Sequence, residues 1–150
     1  MGSRWRDGWV KVNPLQTGFF RVNYSEEDWQ RLVPPIESLE LHATDRLGVQ
    51  NDAYALSKAG LLPVTQFLSL AQAYQNEDDP SVWSDLASNL RDIEQLICEE
   101  PIHSAYQSFA RGIFGPAARK LAGIQSQEKA IWTPYSDPLF EPGGVILTPT

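Results

Sequence analysis

Two histidines, one cysteine and a short acidic run are the residues here whose types most often make a reactive site. A helical zinc site needs histidines at i and i+4, with a glutamate between them to take a proton from the metal-bound water. His42 and His103 stand far apart, with no His-Glu-x-x-His pattern around either, and both read as surface or helix-end imidazoles. Cys98 and His103 have the types of a nucleophile and its base, but Glu99-Glu100-Pro101 lies between them. The proline breaks a helix there and the carboxylates work against a thiolate, so Cys98 is expected to be a small buried apolar residue. Glu77-Asp78-Asp79 lacks the alternating ligands around a glycine turn that a calcium loop requires. Nucleophile elbow, Walker loop and dinucleotide glycines are all missing. No catalytic residue and no metal ligand is therefore assigned.

The remaining polar group of interest is Asp45, Arg46, Asn51 and Asp52, all on one predicted helix. Asp45 sits near its start, where a negative charge suits the helix dipole. Arg46 has two candidate partners, Asp52 or a neighbouring helix, and Asn51 is suited to tying helices together by hydrogen bonds. The helix itself is predicted from Thr44 as cap, with Leu47, Val49, Ala53, Tyr54 and Leu56 as its apolar residues and Gly60 as a left-handed end.

Further helices frame it. Ser25 caps a helix that opens on Glu26, Glu27 and Asp28 and carries Trp29, Leu32 and Val33, until Pro34-Pro35 stops it. Ile36 to Leu41 makes a short link. From Pro63, the residues Val64, Phe67, Leu68, Ala71 and Tyr74 recur at helical spacing on one face. Asp79-Pro80 is a cap followed by proline at the first helical position, opening a helix with Val82, Trp83, Leu86, Leu90, Ile93 and Ile97 on one side. Pro101 closes it. A last helix carries Ile102, Tyr106, Phe109, Ala110, Ile113 and Phe114, with one further turn or more after Gly115-Pro116. The fold class is mainly α, with antiparallel helix pairs stacked as an α-solenoid or HEAT-like helical bundle.

Ahead of these helices, Trp9-Val10-Lys11-Val12-Asn13 and Gly18-Phe19-Phe20-Arg21-Val22-Asn23-Tyr24 flank a Pro- and Gly-containing turn, a pattern that predicts a β-hairpin. Two strands alone are marginal in water, so the aromatic face of this ribbon needs a cover. These two runs resemble the end of the β-sandwich domain in the M1 family of zinc aminopeptidases. Asp45-Arg46-Leu47-Gly48-Val49-Gln50-Asn51-Asp52, then Ala55-Leu56-Ser57-Lys58-Ala59-Gly60, and later Val82-Trp83-Ser84-Asp85-Leu86 with Asn89-Leu90, resemble the opening helices of that family's C-terminal helical domain, especially in its puromycin-sensitive branch.

The resemblance runs from Trp9 to Leu121 and implies a division of the chain. Residues 1–24 are the hairpin at the edge of a β-sandwich domain, 25–123 are part of the helical domain, and 124–150 are a Pro- and Gly-rich tail without an assigned role. The resemblance implies a zinc enzyme as parent, removing N-terminal residues from peptides. The chain itself has neither the zinc motif nor the family's Gly-x-Met-Glu-Asn amine-binding motif, since Met1 is its sole methionine. It is thus expected to be a non-catalytic fragment that scaffolds and caps the parent's peptide chamber, with no cofactor of its own. Arg46 and Tyr54 are the candidates to line that chamber, and Asp45, Asn51 and Asp52 the structural polar residues. The expected partners are the upstream catalytic and β-sandwich domains, with peptide substrate only in the parent.

Composition agrees with a single core: 150 residues at 42% hydrophobic. A net charge of −7, concentrated between Glu77 and Glu100 and read as a solvated helix face, argues against nucleic acid. No stretch approaches a membrane span and no signal-peptide core is visible, so a cytoplasmic location is expected. The alternative is a free-standing helical interaction module, or a truncated regulatory product, that binds a partner through its exposed hairpin. The two readings part at Trp9, Phe19 and Phe20: covered by the chain's own residues they suit the module, exposed they call for a missing sheet or a partner.

Overall fold

The computed structural model describes residues 8–121, and there the chain is mainly helical. Helix α1 spans Glu26–Glu37, α2 Ala43–Lys58, α3 Val64–Ala71, α4 Pro80–Ile97 and α5 His103–Leu121. A 3-10 turn over Gln72–Asn76 continues α3, and another at Pro14–Gln16 precedes α1. The predicted tail from 124 onward lies outside the described residues.

Local signals account for most boundaries. The Ser25 hydroxyl accepts from the Asp28 amide at 3.2 Å at the start of α1, and the Asp79 carboxylate accepts from Ser81 and Val82 at 2.8 and 3.2 Å at the start of α4. The end of α2 is a paired C-terminal cap. Gly60 takes φ +72°, its amide donating to Ser57 and that of Leu61 to Leu56, so two otherwise orphaned carbonyls are satisfied. At the start of α2 the expectation misses: His42, not Thr44, is the cap, its Nδ1 accepting from the Thr44 amide at 3.2 Å. Nor do Pro34 and Pro35 stop α1. Both sit inside it, because Trp29, Leu32, Pro35 and Ile36 form one buried stripe whose burial outweighs the two ladder bonds the prolines forgo.

Helix α2 lies at the centre. Val49, Gln50, Asp52 and Ala53 are all buried, so the helix is covered on more than one side, by α3, by α4 and by the Pro14–Gln16 turn. The apolar core around it is built from Leu32 and Ile36 of α1, Phe67 and Tyr74, Trp83, Leu86 and Leu90 of α4, and Ile113 and Phe114 of α5. The Trp83 and Phe114 rings meet at 5.4 Å, joining the last two helices. Cys98 is exposed, against expectation, because it caps α4 where the helix leaves the core.

The predicted hairpin is the main correction. No strand occurs among the described residues, and residues 8–24 run as an irregular segment over α2. Its backbone donors go to side chains instead of to a facing strand: Leu15 to Asp45, Val22 to Asp52, Gly18 to Asn13 and Val12 to the Tyr24 hydroxyl. Asn13, Leu15 and Gln16 hold left-handed φ of 54–57° in and beside the predicted turn, while the flanking runs stay unpaired because their amides go to these side chains. Val10, Val12 and Phe20 are exposed, and Phe19 is fully so at 112% relative accessibility, whereas Trp9 is partly buried against the core.

Candidate functional site: the polar faces of α2

Helix α2 places its polar residues at three joints. The first is Arg46, whose side chain is 5% exposed and faces Glu77, 1% exposed, just ahead of α4. Arg46 Nε donates to Glu77 Oε2 at 2.7 Å and Nη2 donates to Oε1 at 2.6 Å, a two-point fork, with Asp78 and the Leu41 carbonyl taking further donors. Glu77 Oε1 also accepts from the amides of Asp78 and Asp79, and its backbone carbonyl accepts from the Trp83 indole. The Tyr74 hydroxyl donates to the Arg46 carbonyl at 2.7 Å. Every partner here is satisfied from several directions, which a buried ion pair requires if it is not to cost stability. The Glu77 hydrogen bond raises the Arg46 pKa, and burial pushes that of Tyr74 well above the ordinary phenol.

The second joint faces the segment before α1. Asp45 accepts from the Leu15 amide at 2.6 Å and lies 3.7 Å from Lys11 Nζ. Two helical turns on, Asp52 accepts from the Val22 amide at 3.1 Å and from Arg21 at 3.2 Å. Both carboxylates are buried. Asp52 therefore pairs with Arg21, and Arg46 with Glu77, so of the two partners open to Arg46 in sequence the one outside its own helix is taken.

The third joint faces α4. Gln50 Nε2 donates to the Val82 carbonyl at 2.9 Å and reaches Asp85 at 3.3 Å, while Asn51 and Asn89 also bond Asp85. Burial raises the Asp85 pKa, with those amide donors working the other way. Further along, the Tyr54 hydroxyl donates to Asp92 at 2.9 Å and Lys58 Nζ sits 5.4 Å from the Tyr54 ring centre. Desolvation first, then Asp92, push the Tyr54 pKa up to about 12.

Sequence reasoning picked out Asp45, Arg46, Asn51, Asp52 and Tyr54, and all five make contacts between α2 and its surroundings. It missed Gln50 and Tyr74, and it read Glu77 as solvated. Nothing local in the sequence marks Gln50 as buried or distinguishes Glu77 from Asp78; burial of both comes from packing. The reactive types stay apart: His42 caps α2, His103 Nε2 is 3.1 Å from Glu94, and Cys98 is exposed. Among the described residues no group of three or more His, Cys, Asp or Glu is placed to hold a metal, so a zinc ion does not fit the residues of this site. A cleft of about 370 Å³ lies between α1 and α3, lined by Trp29, Val33, Pro63 and Leu70 among others. No described helix is long and apolar enough to cross a membrane.

Comparison with known proteins places these features in one family. The ERAP1-like C-terminal domain matches residues 9–141, past the point at Gly123 where the composition changes. Aminopeptidase M1-A of Oryza sativa subsp. japonica is 40% identical over 91 residues, covering 61% of this chain and 10% of the relative. Puromycin-sensitive aminopeptidase of Caenorhabditis elegans is 35% identical over 102 residues, 66% of this chain and 11% of the relative. Aminopeptidase M1 of Arabidopsis thaliana is 32% identical over 115 residues, 75% and 13%. The chain thus spans about a tenth of the length of these relatives.

Proposed function

We propose, since this chain belongs to the ERAP1-like C-terminal domain family, that it is the non-catalytic helical part of an M1-type zinc aminopeptidase, scaffolding and capping the peptide chamber of a longer parent. The observation that carries this reading is the exposed apolar face of residues 10–20. Val10, Val12, Phe19 and Phe20 stand in solvent on a segment whose inner side is already anchored to α2. A face of this kind calls for a cover, and upstream sheet from the parent supplies one. In the parent, residues 1–24 lie at the edge of a β-sandwich, with 9–24 held as a strap on α2, residues 25–123 stack as HEAT-like helix pairs, and 124–150 keep no assigned role.

The parent's zinc and catalytic base lie in its upstream domain, in a cytoplasmic protein. In this reading Tyr54, with Asp92 and Lys58 beside it, lines such a chamber. Arg46, expected beside Tyr54 as a chamber-lining residue, is instead buried with its donors spent on Glu77, Asp78 and the Leu41 carbonyl, so it fixes α2 to the turn ahead of α4, while Asp45, Asn51 and Asp52 serve structure.

An immunoblot of source-cell extract with an antibody against residues 63–97 tests the reading. A band several times larger than 16.8 kDa, co-purifying with release of N-terminal residues from peptides, is the expected result. A band at 16.8 kDa alone, without that activity, overturns it in favour of a free-standing module that binds a partner through residues 9–24.

A further inference from the structure

Asp45 and Asp52 stand seven residues apart on α2, and the amides they accept from, Leu15 and Val22, are also seven apart in the preceding segment. Seven helical residues advance roughly 10 Å, whereas seven extended residues reach more than 20 Å. The captured segment must therefore be gathered in between. The left-handed residues Leu15 and Gln16 do the gathering, and Asn13, just ahead of them, bridges to Gly18 by its side chain, Oδ1 accepting from its amide at 2.6 Å and Nδ2 donating to its carbonyl at 2.9 Å. Left-handed backbone at non-glycine residues persists only where the surroundings hold it. Here the holding groups at the two ends are carboxylates of α2, buried and charge-assisted.

We infer that Asp45 and Asp52 form a two-point lock that fixes residues 9–24 as a strap on α2 and so sets the direction in which Val10, Val12, Phe19 and Phe20 face outward. They are positioning residues for the docking surface. The lock reads backbone amides, so it specifies the path of the strap and not its side chains. Arg21 and Lys11 add charge at each anchor, at 3.2 Å from Asp52 and 3.7 Å from Asp45. The use of the oriented face rests on the proposed parent; the lock itself belongs to this chain alone.

Hydrogen exchange of the full chain, read amide by amide, tests it. Asp45→Ala is expected to speed exchange at Leu15, and Asp52→Ala at Val22, each by about 10- to 100-fold, as befits loss of a bond to a charged acceptor. Amides within α4 are expected to keep their protection. Asp45→Asn and Asp52→Asn keep volume and one acceptor oxygen, and cover the case in which the alanine variants unfold. A neutral acceptor bonds about half as strongly, so severalfold faster exchange is expected at the same two amides. Unchanged protection of Leu15 and Val22 in the folded variants overturns the lock. That outcome leaves the family reading to its own assay, since exchange in this chain does not depend on a parent enzyme.

Discussion

Arg46 and Glu77, thirty-one positions apart in sequence, meet through a fork of two hydrogen bonds of 2.7 and 2.6 Å in the interior. Removing one partner leaves the other charged and buried. Glu77→Gln is therefore expected to destabilise the chain by about 3–5 kcal/mol in urea denaturation, and Arg46→Met by a similar amount. The double variant is expected to cost much less than the sum, because neither charge is then stranded. Additive losses would mean that the pair is not coupled.

Caps can be ranked by the structure. Asp79→Ala and Ser25→Ala are each expected to cost about 1 kcal/mol, while Thr44→Ala costs less, since the cap of α2 is the His42 ring. Thermal unfolding of the three variants checks this. A Thr44 loss equal to that of Asp79 would restore Thr44 as the cap.

Gly48 of α2 faces Gln16 of the strap. A Cβ there would lie 1.6 Å from Gln16 Nε2 and 2.2 Å from Cδ, so the whole Gln16 side chain must leave. Because the atoms met are the flexible end of the half-buried Gln16 side chain, Gly48→Ala alone is expected to destabilise by about 1 kcal/mol or less. In a Gln16→Ala background the clash disappears and the same change is expected to be neutral or to stabilise by about 1 kcal/mol through helix propensity. Destabilisation undiminished by Gln16→Ala would place the obstacle elsewhere.

Tyr54 should ionise near pH 12, two units above an ordinary phenol. A raised folded-state pKa of this kind gives stability that is fully present below pH 10 and is lost as pH rises through 12. Spectrophotometric titration of wild type against Tyr54→Phe isolates it. Asp92→Asn is expected to bring the value part of the way down, because burial is the larger cause and stays. No movement at all would remove Asp92 from the account.

The sequence by itself determined the helices, because their causes are local: apolar residues at helical spacing, Asp79 before Pro80, Ser25 three residues ahead of Asp28, Gly60 where only a left-handed residue ends α2. It also determined that Asp45, Arg46, Asn51, Asp52 and Tyr54 share one helix, though not that they serve three separate joints. Tertiary structure decided their partners. Arg46 meets Glu77 and not Asp52, because the turn ahead of α4 is buried against α2 and holds the Glu77 carboxylate with the Asp78 and Asp79 amides, while the Trp83 indole holds its carbonyl. It also decided that residues 9–24, written with alternating apolar and polar residues, run as a strap. A ribbon without a third strand gains little, and two buried carboxylates on α2 offer its amides stronger acceptors than a facing carbonyl.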